Sequence, residues 1–160
     1  GQMSTKYFEL LAGVPMVSTL YGGTPPALLS LMQNETQMMI ADVTGVMPQI
    51  KAGKIQAIAV TGKERSPLLP DVPTVEEQGI AGYVVTNSLG AYVPLQTPRQ
   101  LVDKINQMMN EIVASDEVSE KIRSLGSVPL KQPVTDFERY YRERSALWAD
   151  VVKRGNLTLK

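Results

Sequence analysis

Met16-Val17-Ser18-Thr19-Leu20-Tyr21-Gly22-Gly23-Thr24-Pro25-Pro26-Ala27 runs from an apolar, β-branched stretch through a glycine turn into a helix start. That order decides the fold class. Residues 16–20 read as a strand, because valine, threonine and leucine favour extended backbone and Gly22-Gly23 ends the run. Residues 25–32 read as a helix, with two prolines in the first turn, where a helix makes no use of a backbone donor. The same alternation repeats downstream. Residues 38–41 are a second predicted strand, followed by a loop through Gly45 and a short helix to Ala52, where Gly53 supplies the stop. Residues 55–60 are a third strand. Short apolar runs alternating with helical patterns predict an α/β lobe with a mostly parallel sheet flanked by helices.

Outward from this unit, Met3, Tyr7, Phe8 and Leu11 lie at helical spacing over residues 1–11 with no capping residue before them. The helix reads as already under way, so the natural protein is expected to continue upstream. Residues 62–83 are a proline-punctuated surface excursion that includes one or two helical turns after Thr74. Residues 84–93 form an extended stretch with Gly90 at its middle, where the chain is expected to cross between lobes. The remainder is helical over 98–114, 116–125 and 136 to about 154, with a short strand at 128–130.

Composition narrows the chemistry. The 160 residues are 43% hydrophobic, enough to build a core, and 16 basic residues balance 16 acidic ones. A balanced chain has no general attraction for nucleic acid or anionic membrane, so whatever it binds is bound locally. The absence of histidine and cysteine excludes thiol nucleophiles, Ser-His-Asp relays, histidine acid-base catalysis and the usual zinc sites. Neither a metal nor a cofactor is expected. No apolar run approaches the roughly 20 residues that span a bilayer.

The helix starts separate into two kinds. Thr74 with Glu77, Thr97 with Gln100 and Thr135 with Glu138 each pair a threonine with an acid or amide three residues on, the pattern of a self-satisfied capping box. The helix after the first strand differs. Thr24 is read as its cap, no acid stands at the third helical position, and Pro25 and Pro26 remove two donors. The free donors are then the Gly22 and Gly23 amides, the Thr24 hydroxyl, and the Ala27 and Leu28 amides, a seat for a carboxylate. The same turn also serves as a plain strand-to-helix connection. Ala41-Asp42-Val43-Thr44 follows the second strand and again lacks an acid at the third position; both loops sit at strand C-terminal ends, where open α/β sheets bind ligands. Asp42 has two readings: a cap for the next helix, or a carboxylate that selects a ligand carrying its own donor.

The succession Tyr21 to Ala27, then Pro48-Gln49-Ile50-Lys51-Ala52-Gly53-Lys54-Ile55, Ala57-Ile58-Ala59-Val60-Thr61, Arg65-Ser66-Pro67, Leu69-Pro70-Asp71-Val72-Pro73-Thr74 with Gly79, the turn from Pro94 to Pro98, and Trp148 resembles the Bug family. These are periplasmic receptors of tripartite tricarboxylate transporters, and the resemblance covers essentially the whole chain. It implies a two-lobed protein of the periplasmic-binding type II kind that closes over a small organic acid and hands it to a membrane permease. It implies residues 1–84 as part of the second lobe and 85–160 as a hinge strand with helices that complete the first. By the same resemblance Tyr21 to Thr24 with Ala27, and Ala41 to Thr44, face the cleft, and Gly1 and Gln2 are the edge of a preceding loop. Departures fall at the site. Gly22 stands where lysine is usual, Asp42 where asparagine or another small polar residue is common, and Ser88 where an aromatic residue is. A receptor with no catalytic residues is the leading expectation; a histidine-independent enzyme acting on an organic acid, or an interaction module, are the alternatives.

Overall fold

A computed structural model of the chain describes residues 1–157; the last three residues of the 85–160 segment lie outside the described residues. Among the described residues six helices follow in order: α1 (Gln2–Ala12), α2 (Thr24–Met32), α3 (Val43–Lys51), α4 (Arg99–Ala114), α5 (Asp116–Ser124) and α6 (Val134–Arg154). Each matches a predicted helix, with ends displaced by up to about three residues. The chain divides into two units, one made of Gly1–Thr86 with the chain from Ala149, the other of Asn87–Trp148.

In the first unit the buried apolar residues are Tyr7, Leu28, Val60, Val75, Tyr83 and Val151. Two tyrosines tie α1 to the turn at 82–83. The Tyr7 hydroxyl donates to the Gly82 carbonyl at 2.8 Å and the Tyr83 hydroxyl to the Ser4 carbonyl at 3.1 Å. Their rings stack at 5.4 Å, and Phe8 meets Tyr83 edge-on. Burial, with a smaller contribution from Tyr7, pushes the Tyr83 hydroxyl up to about 12.

The parallel sheet is not formed among the described residues. The only pairing there is an isolated parallel bridge between Val60 and Thr74, where the Val60 amide donates to Pro73 and the Val75 amide to Val60. Thr61 closes the other side, exchanging bonds with Val85 at 2.8 and 2.7 Å. Residues 16–20 and 38–41 make no backbone hydrogen bonds to other described residues, and Val17 is 99% exposed. An extended run becomes a strand only when a neighbour answers its amides and carbonyls, and here only the end of the third run has one. The predicted strand at 128–130 likewise has no strand partner among the described residues.

Of the three capping boxes, only Thr74 and Glu77 form one. The Glu77 carboxylate accepts from the Thr74 amide at 2.6 Å and the Thr74 hydroxyl from the Glu77 amide at 3.1 Å. They close a hydrogen-bonded turn rather than a helix. The other two are displaced by proline. The Pro98 carbonyl accepts from Leu101 and Val102, which makes Pro98 the cap of α4 and leaves Thr97 outside it. The Pro133 carbonyl accepts from Asp136 and Phe137, so Thr135 is already inside α6 and Glu138 pairs with Arg99 instead.

In the second unit α4 packs on α5, and two asparagines of α4 hold the segment after it. Asn106 and Asn110 donate to the Gln132 carbonyl at 3.2 and 3.0 Å, and the Asn110 carbonyl accepts from the Gln132 amide. Tyr92, Phe137 and Tyr141 form an aromatic cluster with ring centres 6.0 to 6.5 Å apart. Gly90 lies so close beneath it that a Cβ there would stand 2.8 Å from Phe137 Cζ.

Candidate functional site

The start of α2 is open, and its cap is Gly23 rather than Thr24. Gly23 has φ 141° and ψ −177°, a region closed to side-chain-bearing residues, and no side chain caps the helix. This moves the helix one residue toward the N-terminus and changes which donors are free. With Gly23 at the cap its carbonyl takes the first helical bond, which draws the amides beyond Pro26 into the ladder. The remaining donors are the Gly22, Gly23 and Thr24 amides and the Thr24 hydroxyl, all on exposed residues and none with a partner among the described residues. Ala27 is half-buried in the first turn.

Tyr21 is turned away from this seat to hold it. Its hydroxyl lies 2.6 Å from that of Ser30, which is 2% exposed and in turn bonds Thr36 at 3.5 Å. Ser30 escaped the sequence reading. The signal was a single hydroxyl in the otherwise apolar run Ala27-Leu28-Leu29-Ser30-Leu31-Met32, where a polar group needs a partner.

The second open start adjoins the first. Asp42 occupies the cap of α3 with its carbonyl accepting from Gly45 at 3.1 Å, and its carboxylate makes no capping bond. The reading of Asp42 as a side-chain cap therefore falls, and an exposed carboxylate is left beside the Val43 and Thr44 amides. Gly45 carries the approach of the two helices, since a Cβ built on it would lie 3.8 Å from Thr24 Cγ2. Neither first turn contains an acid. The positive ends of two helix dipoles thus converge on Thr24, with one negative group, Asp42, at the margin.

The structure does not bring Gly1 and Gln2 to this place. Gly1 is exposed ahead of α1, its carbonyl accepting from Thr5, and neither residue bonds the two loops. Ser88, in the second unit, lies 3.5 Å from the Tyr140 hydroxyl. Two shallow grooves run elsewhere, one of about 570 Å³ along Ile50, Lys54, Leu69 and Val72, the other of about 620 Å³ along Phe8, Leu11, Met16 and Ile80. The seat is an open surface, unlike the enclosed pocket that surrounds most small ligands. Among the described residues no carboxylate cluster fits a metal, and no helix is long and apolar enough to cross a membrane.

Open, acid-free helix starts make an anion-binding surface, the property on which a solute-binding protein for acids depends. Comparison with known proteins gives the same class. The chain belongs to the tripartite tricarboxylate transporter family of receptors, whose profile matches residues 1–157. It is 26% identical over 156 residues to BugT of Bordetella pertussis, covering 98% of this chain and 48% of that protein. Among solved structures it is similar to R. palustris Rpa4515 with adipate, with TM-score 0.81, 29% identity, and coverage of 98% of this chain and 52% of the other. It is also similar to MatC (Rpa3494) from Rhodopseudomonas palustris with bound malate, with TM-score 0.74, 28% identity, and coverage of 94% and 52%. The chain spans about half the length of each of these relatives.

Proposed function

We propose that this chain supplies one ligand-binding face of a periplasmic receptor for a small organic carboxylate, which it helps present to a membrane permease. The observation that carries this reading is the convergence of the α2 and α3 starts, free of capping side chains, on the Thr24–Gly45 approach. One carboxylate of the ligand takes the Gly22, Gly23 and Thr24 donors, and the Val43 and Thr44 amides add a second contact. Ala27 and Ala41 shape the rim, and Tyr21 braces it from behind through its bond to Ser30. Residues 1–84 form this lobe and 85–160 return to the other. When the other lobe is present, residues 16–20, 38–41 and 55–60 pair as a mostly parallel sheet.

Asp42 sets the ligand class within the carboxylates. A carboxylate at the margin of an anion seat repels a second bare carboxylate and accepts from a hydroxyl or ammonium. Malate, seen in MatC, carries such a hydroxyl, and adipate, seen in Rpa4515, does not. The α-hydroxy or α-amino acid is therefore the expected ligand. Calorimetry on a protein carrying both lobes, with dicarboxylates, hydroxy acids, amino acids and aromatic acids, tests the reading. Binding of a hydroxy or amino acid supports it, and indifference of the folded protein to every carboxylate overturns it.

A further inference from the structure

The loops that offer the donors of the seat are poorly held by their own backbone. Among the described residues no backbone hydrogen bond outside the helices reaches residues 16–22 or 36–41, the segments that lead into α2 and α3. The side-chain bonds that hold them end on one hydroxyl. Ser30 lies 2.6 Å from the Tyr21 hydroxyl, immediately before Gly22, and donates at 3.5 Å to the Thr36 hydroxyl, at the head of the run that ends on Asp42. A serine hydroxyl carries a single proton, so with that proton given to Thr36, Tyr21 is the donor to Ser30. The three hydroxyls form a directed chain from one loop to the other.

The local sequence builds this chain. Ser30 is the most buried residue of α2, at 2% exposure, and a hydroxyl placed that deep is retained only where it finds partners. The end of α2 brings one of them back. Asn34 takes φ 61°, the left-handed conformation that asparagine tolerates, and the Asn34 amide donates to the Leu31 carbonyl at 3.2 Å while the Glu35 amide donates to the Ser30 carbonyl at 3.0 Å. This paired closure of the helix end folds the chain back so that Thr36, half-buried, meets the Ser30 side chain. Ser30 therefore anchors the following turn through its carbonyl and both loops through its hydroxyl.

We propose that Ser30 is the positioning residue of the seat: through Tyr21 and Thr36 its buried hydroxyl fixes the loops that open α2 and α3, and so sets affinity for a carboxylate that it never touches. Donors held in place before the ligand arrives need not be ordered on binding, which is where the gain lies. The effect on affinity rests on the carboxylate reading. The ordering of the loops does not, and is measured without ligand, so the two fail separately.

The test compares Ser30→Ala, Tyr21→Phe and the double variant in a protein carrying both lobes, by amide relaxation, urea unfolding and calorimetry with malate. Without ligand, the order parameters of Gly22–Thr24 and of residues 41–44 are expected to fall in Ser30→Ala from the roughly 0.85 of rigid backbone to below about 0.6, with those of α1 unchanged. Each single variant is expected to bind malate at least tenfold more weakly, and the double no more weakly than the poorer single, because both remove one shared bond. The double leaves neither of the two hydroxyls unpaired, so its urea midpoint is expected to return toward that of the unsubstituted protein while its affinity stays low. Affinity that recovers together with stability would show a merely structural role and overturn the proposal. Order parameters that Ser30→Ala leaves unaltered at either loop overturn it whether or not malate binds, as does a Ser30→Ala protein that holds malate as tightly as the parent.

Discussion

Gly23 is the residue on which the candidate seat turns, because its φ of 141° is open only to glycine and fixes the direction in which the loop enters α2. Gly23→Ala is expected to cost about 1–3 kcal/mol in urea unfolding. Gly22→Ala, at ordinary φ with nothing within 4 Å, is expected to cost far less. Equal losses would remove the argument that Gly23 holds the loop. Tyr83 makes a prediction of a different kind. Its folded-state pKa is raised to about 12 against an unfolded value of 10.0, so the folded chain keeps the proton that the unfolded chain releases first. The stabilisation is full below about pH 10 and is lost as pH rises through 12, by about 2–3 kcal/mol. Subtracting the Tyr83→Phe alkaline unfolding curve from that of the natural chain isolates this term, and parallel curves between pH 10 and 12 would count against it. The glycine turn was legible in the sequence as a turn. The exact cap was not, since Thr24 is the better cap by side chain and loses to Gly23 only because the following prolines fix where the helix begins.

At the scale of elements, helix periodicity was legible and strand pairing was not. The amphipathic spacing that gives α1, α4 and α6 is a property of each segment alone, whereas 16–20 and 38–41 need backbone neighbours that the described residues do not provide. Capping boxes failed where proline stood beside them: Pro98 and Pro133 start their helices with their own carbonyls, which leaves Thr97 and Thr135 out of register. Thr74 escapes because the box itself closes the turn, and Arg65 braces its acid at 3.0 Å. Thr74→Ala is accordingly expected to destabilise the chain by about 1 kcal/mol, and Thr135→Ala hardly at all. The Arg65 hydrogen bond, then that from the Thr74 amide, hold the Glu77 carboxyl below its usual range. The support from this turn is therefore present above pH 4.5 and weakens as pH falls through the lowered value, a loss that Glu77→Gln should abolish in acid unfolding. The α3 start lends itself to a test that separates folding from binding. Thr44→Glu places an acid in its first turn, which favours the helix dipole, so stability should hold or rise while affinity of a two-lobed protein for any carboxylate falls tenfold or more. A parallel fall in stability and affinity would mean that Thr44 serves the fold alone.

At the scale of the whole molecule, the family was legible because its motifs are spread along the entire chain. That the seat is one side of a cleft was legible only through that resemblance, because a cleft is a relation between surfaces. The seat at Thr24 and Asp42 is exposed at Gly22, Gly23, Thr24 and Thr44, with only Val43 half-buried, and an exposed hydrogen bond to a carboxylate competes with water at nearly equal strength. Burial between lobes removes the water and strengthens the same contacts, which is how a binding protein of this kind gains affinity from closure. The ligand should therefore stabilise the two parts together far more than this part alone. With the best-bound hydroxy or amino acid at a hundred times its Kd for the two-lobed protein, linkage predicts about 2.7 kcal/mol of added stability there. For the 160-residue chain at the same ligand concentration, the unfolding midpoint in urea should not move. A full-sized shift in the chain alone would mean that the two helix starts bind without a second jaw, and that the lobe opposite contributes capture but no affinity.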